Sequence, residues 1–206
     1  MKVDVAQLKR WFAGIVSTLV VAELLLVLVS WLLSATMTED VRSLLSSEGI
    51  RWFVGSFVAM LSTPWLVWLL LLAMAGGCLW QSGLPTILGI QTPALNYRQR
   101  IALRMTIALL IIYIVAILLL TAVPHAVLLS ATGQLLPSPF SRALVPIVAF
   151  GLLLLSVTYG WLSGRFTSVV AVINSLSFGI SRAAPLFILY VLAVQFCESL
   201  RFVLGY

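Results

Sequence analysis

The stretch Phe12–Leu33, FAGIVSTLVVAELLLVLVSWLL, decides how the rest of the chain must be read. As an α-helix rising about 1.5 Å per residue it is long enough to cross the roughly 30 Å hydrocarbon core of a bilayer. It is too long for the apolar region of a secretory signal, and Leu33 is a poor residue ahead of the small Ala35, so it reads as a retained first span. Its one charge, Glu23, costs roughly 2.5–3.5 kcal/mol at a helix centre, while about fourteen Leu, Ile, Val and Phe residues contribute roughly −0.5 kcal/mol each. The span inserts, and Glu23 is expected to face the protein interior or to carry a proton.

The composition of the whole chain agrees. Of its 206 residues, 62% are hydrophobic and 9% charged, against roughly 45–50% and about 25% in a soluble domain. With a mean hydropathy of +1.16, a water-soluble fold would lack the polar side chains to cover itself. The net charge of +6 could suggest nucleic acid on a soluble chain. Here the charges sit in short segments between apolar runs, where Lys and Arg set membrane orientation. No nucleic-acid partner is expected; the lipid bilayer is.

Four further runs qualify as spans, Pro64–Trp80, Ile101–Val123, Leu144–Ser163 and Ala183–Leu204, with Trp11, Trp31, Trp65, Trp80 and Trp161 at or near span ends as interfacial anchors. A cytoplasmic N-terminus places Lys2, Lys9, Arg10, Arg98, Arg100, Arg104, Arg165 and Arg182 inside and leaves only Arg42, Arg51, Arg142 and Arg201 outside. An odd number of spans then puts the C-terminus outside. The predicted fold is therefore an all-α membrane protein, one transmembrane domain over 1–206, with five spans and interfacial helices at about 41–62 and 165–181.

In the first interfacial segment Ser46 can cap a helix whose first turn holds Glu48. In the second, Phe166, Val169, Val170, Ile173, Leu176 and Ile180 share one helical face, with Ser168, Asn174, Ser175 and Ser181 largely on the other. The connection between spans three and four, rich in turn formers, is expected to be irregular.

Polar side chains near mid-span are the candidates for chemistry. Counted from the inner ends at about 1.5 Å per residue, Glu23 lies about 16 Å deep and Trp68, Tyr113 and Gln195 about 18 Å deep. One reading of this layer is hydrogen-bonded glue between helices, at roughly 0.6–2 kcal/mol per bond. The other is a relay for protons or polar solute. Interhelical bonding is the commoner use of such residues. Glu198 and Arg201, three apart near the end of span five, can pair on one face. Small residues at four-residue spacing, Ala73 and Gly77 on span two and Ser156, Gly160 and Gly164 on span four, let another helix approach closely, within the chain or from a second copy.

Catalytic and metal chemistry find no support. His125 is the one histidine and follows Pro124 at a span end, and zinc sites need three or four ligands. No serine or cysteine has a base and an orienting group in a recognisable pattern. Cys78 and Cys197 differ by about 18 Å in expected depth and should be free thiols. No enzyme activity, cofactor or metal is expected.

Several stretches together resemble a known family. VRSLLSSEGIRW at 41–52, SGL at Ser82–Leu84, the loop TGQLLPSPF with Thr132, Gly133, Pro137, Ser138, Pro139 and Phe140, YGWLSGRF at 159–166 and AVQF at Ala193–Phe196 resemble, in order, the AbgT family, the p-aminobenzoyl-glutamate transporters of bacteria. The resemblance implies a longer dimeric protein of the bacterial inner membrane, with an outer scaffold around a core of re-entrant hairpins. The family's polar Ser-Asp-Ala-Gly and Gly-Phe-Ser-Ala-Asn runs have no counterpart here, so no substrate-binding residue carries over. Transporter sites are usually built from interrupted helices, and none of the five spans reads as broken in that way. The chain is thus expected to be a truncated, multi-pass family member related to transport of p-aminobenzoyl-glutamate or similar aromatic compounds, without a complete substrate site of its own. The alternative is a non-transporting scaffold or partner subunit. A second copy or another membrane subunit is the expected partner.

Overall fold

The computed structural model describes residues 5–36, 42–88, 96–122 and 139–205, and among them all regular structure is helical. The helices are α1 (Val5–Ala35), α2 (Ser47–Leu61), α3 (Pro64–Ser82), α4 (Leu84–Leu88), α5 (Tyr97–Ala122), α6 (Pro139–Ser163) and α7 (Val169–Val203). Five of them, α1, α3, α5, α6 and α7, are long and apolar enough to cross a membrane. Leu24, Leu25 and Leu28 on α1 are 60%, 54% and 58% exposed. A row of leucines left open in this way needs an apolar surround, which makes this an all-α membrane protein.

Helix ends follow local rules. Pro64 and Pro139 open α3 and α6, where the missing proline N–H costs nothing. Ser46 caps α2 by accepting from the Gly49 N–H at 3.0 Å, with Glu48 in the first turn. α3 and α6 are each followed by a left-handed glycine, Gly83 at φ 78° and Gly164 at φ 84°, a conformation in which a Cβ is strained.

The helices group into two compact units. The first comprises Met1–Val67 and Ala184–Tyr206, the second Trp68–Ala183. In the first, Leu44, Phe202 and Val203 are buried, with Leu26, Val27 and Trp52 packed against them. In the second, Leu84 and Ile87 of α4 are buried with Ala102 of α5 and Tyr159 of α6.

One expectation changes. The interfacial helix at about 165–181 and the span at 183–204 are one continuous helix, α7, of 35 residues. At about 1.5 Å per residue that is about 52 Å, well beyond a bilayer core. Pro185 lies inside it and removes one hydrogen bond without ending the helix, as membrane helices tolerate. Along the first turns of α7 the apolar residues are left open and a small residue is buried. Val169, Val170 and Ile173 are exposed, while Ser175 is fully buried. Lipid offers no penalty for exposed valine, so the small residues take the helix contact.

Candidate functional site

A buried polar cluster lies in the first unit. Gln195 and Ser199 stand one turn apart on α7, and the Gln195 Nε2 donates to Ser199 Oγ at 3.2 Å. The Ser199 hydroxyl donates in turn to Glu23 Oε1 of α1 at 2.7 Å. Ser199 is fully buried and Gln195 is 7% exposed. The remaining oxygens, Glu23 Oε2 and Gln195 Oε1, are both buried without a hydrogen-bond partner among the described residues.

The same unit is tied together by other polar contacts. The Ser30 hydroxyl accepts from the Leu44 N–H at 3.3 Å, and the Arg42 N–H donates to the Val203 carbonyl at 3.1 Å. Tyr190 of α7 donates to the Leu61 carbonyl at 3.1 Å and is hydrogen-bonded to Thr63. Near the end of α7, Trp52 stacks on Phe202 with centroids 4.4 Å apart. This pair, together with Arg42, Glu48, Glu198, Arg201 and Gly205, lines a cleft. Glu198 and Arg201 form an ion pair at 2.9 Å.

The second unit uses its polar groups differently. The Tyr113 hydroxyl donates to the Ile147 carbonyl at 2.7 Å, and its ring lies over Gly151, joining α5 to α6. Trp68 belongs to this unit as well. Of the four residues expected to share a mid-depth layer, Glu23 and Gln195 are therefore brought together through Ser199, whereas Tyr113 is bonded within the other unit.

The small residues find several partners. A Cβ on Gly77 would fall on the backbone of Gly179, and one on Gly179 on the carbonyl of Ala73, so α3 and the first half of α7 meet almost backbone to backbone. Gly160 lies under the Phe166 ring, and the Phe166 N–H donates to the Gly160 carbonyl at 2.9 Å. Ser156 is fully buried and donates to the Leu152 carbonyl of its own helix at 2.6 Å. Gly164 sits against the Arg98 guanidinium. Gly160, Ser156 and Gly164 thus each make a different local contact within the chain.

Two arginines read from the sequence as orientation signals close helix ends. Arg98 Nε donates to the Leu162 carbonyl at 2.9 Å, at the end of α6, and Arg165 reaches the Gln81 carbonyl at 3.4 Å, at the end of α3. Each adds a cation to the negative end of a helix dipole. Arg182 lies over the rings of Trp80 and Phe178, at 5.9 and 5.5 Å from their centroids. Cys78 and Cys197 are free thiols. His125, Thr132, Gly133, Pro137 and Ser138 lie outside the described residues, and Pro139 and Phe140 begin α6.

Ser199 is the residue that sequence reading missed. Its signal was the i, i+4 spacing from Gln195, but a serine in an apolar run usually bonds its own helix, as Ser156 does. The capping roles of Arg98 and Arg165 had a signal too, in the glycines at 83 and 164.

Long apolar helices, left-handed glycine stops and buried interhelical polar bonds define a multi-pass helical membrane protein. A family comparison makes this specific. The profile of the AbgT transporter family matches residues 89–203, more than half of the chain, and the chain belongs to that family. The match includes Gln195 and Ser199 and lies beyond Glu23. The fold is also similar to that in the crystal structure of the Alcanivorax borkumensis YdaH transporter, with a TM-score of 0.82 over 93% of this chain and 71% of that one, at 16% identity. No curated protein matches the chain significantly.

Proposed function

We propose that the chain is a component of an AbgT-type transport system for p-aminobenzoyl-glutamate or a similar aromatic compound. It resides in the cytoplasmic membrane of a bacterium, N-terminus inside, and supplies frame helices rather than a complete substrate seat. Family membership is the observation that supports transport. The frame reading is supported by helix continuity: α6 and α7 carry Pro146 and Pro185 yet remain helical throughout, as do α1, α3 and α5. Substrate seats in transporters are typically made where helices are interrupted and their exposed ends meet near the midplane. A second copy of the chain or another membrane subunit completes the seat.

Purified chain in proteoliposomes, given labelled p-aminobenzoyl-glutamate, tests this. The expected result is no saturable uptake from the chain alone, with a membrane partner co-purifying reproducibly from the native membrane and restoring uptake. Saturable uptake by the lone chain would overturn the frame reading and leave transport standing. A partner that co-purifies but never restores uptake would favour a non-transporting scaffold subunit.

A further inference from the structure

We propose that Glu23, Ser199 and Gln195 form a binding site for one monovalent positive charge, a sodium-type ion or a proton, held at Glu23 Oε2 and Gln195 Oε1. The inference does not rest on transport, since binding is read without any substrate.

The argument is a count of donors and acceptors. Ser199 has one hydroxyl proton and gives it to Glu23 Oε1 at 2.7 Å. Its oxygen accepts from Gln195 Nε2 at 3.2 Å. The two oxygens left over, one on each group bonded to the same hydroxyl, are buried and unpartnered among the described residues. Buried polar atoms in folded proteins are nearly always satisfied, so two orphaned acceptors in one cluster call for a hydrogen-bond donor or a cation. Turning the Gln195 amide over does not solve this. Its oxygen would then face a Ser199 hydroxyl whose only proton is already committed.

Charge balance separates an ion or proton from a water molecule. A water could donate to both oxygens but would leave a carboxylate uncompensated within an apolar span, where ionisable groups are costly unless paired. The charged and titratable groups of the surrounding elements do not supply the partner. Arg201 is paired with Glu198 on α7, Tyr190 is bonded to Leu61 and Thr63, and Cys197 is exposed. Arg42 and Glu48 line the cleft near the end of α7. Arg51 of α2 and Arg10 of α1 are exposed, and Arg10 lies 13 residues from Glu23, about 20 Å along α1. None of these is hydrogen-bonded to the triad among the described residues. Carboxylate, amide carbonyl and hydroxyl oxygens are hard donors suited to alkali or alkaline-earth ions. With one carboxylate, the set balances a single positive charge rather than the two of calcium.

The test uses the purified chain in detergent. Thermal unfolding is followed against sodium chloride at constant ionic strength, with choline chloride as the replacement salt, in wild type, Glu23→Gln and Gln195→Leu. Infrared difference spectra across a pH titration look for the carbonyl band of a protonated carboxyl. If the charge is a metal ion, the wild-type midpoint rises saturably with sodium. Glu23→Gln, which stays neutral and folded, then loses the response, and Gln195→Leu weakens it by about tenfold or more. If the charge is a proton, sodium has no specific effect and wild type shows a protonated-carboxyl band that Glu23→Gln lacks. Wild type and Glu23→Gln giving the same sodium response and the same carboxyl bands would overturn the proposal and leave the triad as a plain hydrogen-bonded contact.

Discussion

The two units of this protein solve one problem by different means. In lipid, apolar side chains gain nothing by meeting each other, so helices associate through close packing or through polar bonds. The unit spanning Trp68–Ala183 uses the first where Gly77 and Gly179 bring α3 and α7 together, and adds bonds from Arg98, Arg165 and Tyr113 to backbone carbonyls. The unit formed by Met1–Val67 and Ala184–Tyr206 relies on the second. Its contacts run through Glu23, Ser199 and Gln195, through Ser30 and Leu44, and through Tyr190 and Leu61. The contrast explains why an acid is tolerated in α1. Glu23 sits where α7 presents a donor.

Mutations should separate the two modes, beginning with the most damaging. Gly179→Leu would drive a side chain into the Ala73 carbonyl and should cost about 3 kcal/mol in denaturant unfolding of the purified chain in micelles. The control is Gly76→Leu, where a Cβ meets nothing within 4 Å; a change of no more than about 0.5 kcal/mol is expected. Equal losses at both positions would mean that close packing is not what holds this unit.

Ser199→Ala comes next, at about 1–2 kcal/mol, because it strips a partner from both Glu23 and Gln195. Ser156→Ala, which removes only a bond within α6, should change stability by under about 0.5 kcal/mol. A smaller loss at 199 than at 156, read from the same unfolding curves, would contradict the polar mode in the first unit. Tyr190→Phe should cost about 1 kcal/mol through its bonds to Leu61 and Thr63. Last, Arg98→Ala should cost about 0.3–1 kcal/mol by uncapping α6. Arg201→Ala, losing a pair in which Arg201 is 67% exposed, should fall near zero. A ranking with Arg201 above Arg98 would place surface charge ahead of helix capping.

Much of the fold was legible because it depends on local properties. The spans at Pro64 and Phe12 follow from length and hydropathy, and the Ser46 cap from a serine two residues ahead of Glu48. The length of α7 was not legible. The amphipathic pattern over 165–181 reads as a surface helix and the apolar run from Ala183 as a separate span, and no local signal says that one helix continues through both.

The candidate site divides in the same way. Glu23 and Gln195 stood out as polar residues in apolar runs, and that much belongs to the chain alone, because an amino acid's transfer cost into hydrocarbon needs no partner to define it. Which of them meet depended on how α1 and α7 pack. That packing selected Ser199 as the bridge, assigned Tyr113 to a carbonyl of α6 and left two buried oxygens without a donor among the described residues. Hydropathy is a sum over residues and can be read along a line; a hydrogen bond across 176 positions is a matter of direction and distance, which only the folded arrangement supplies.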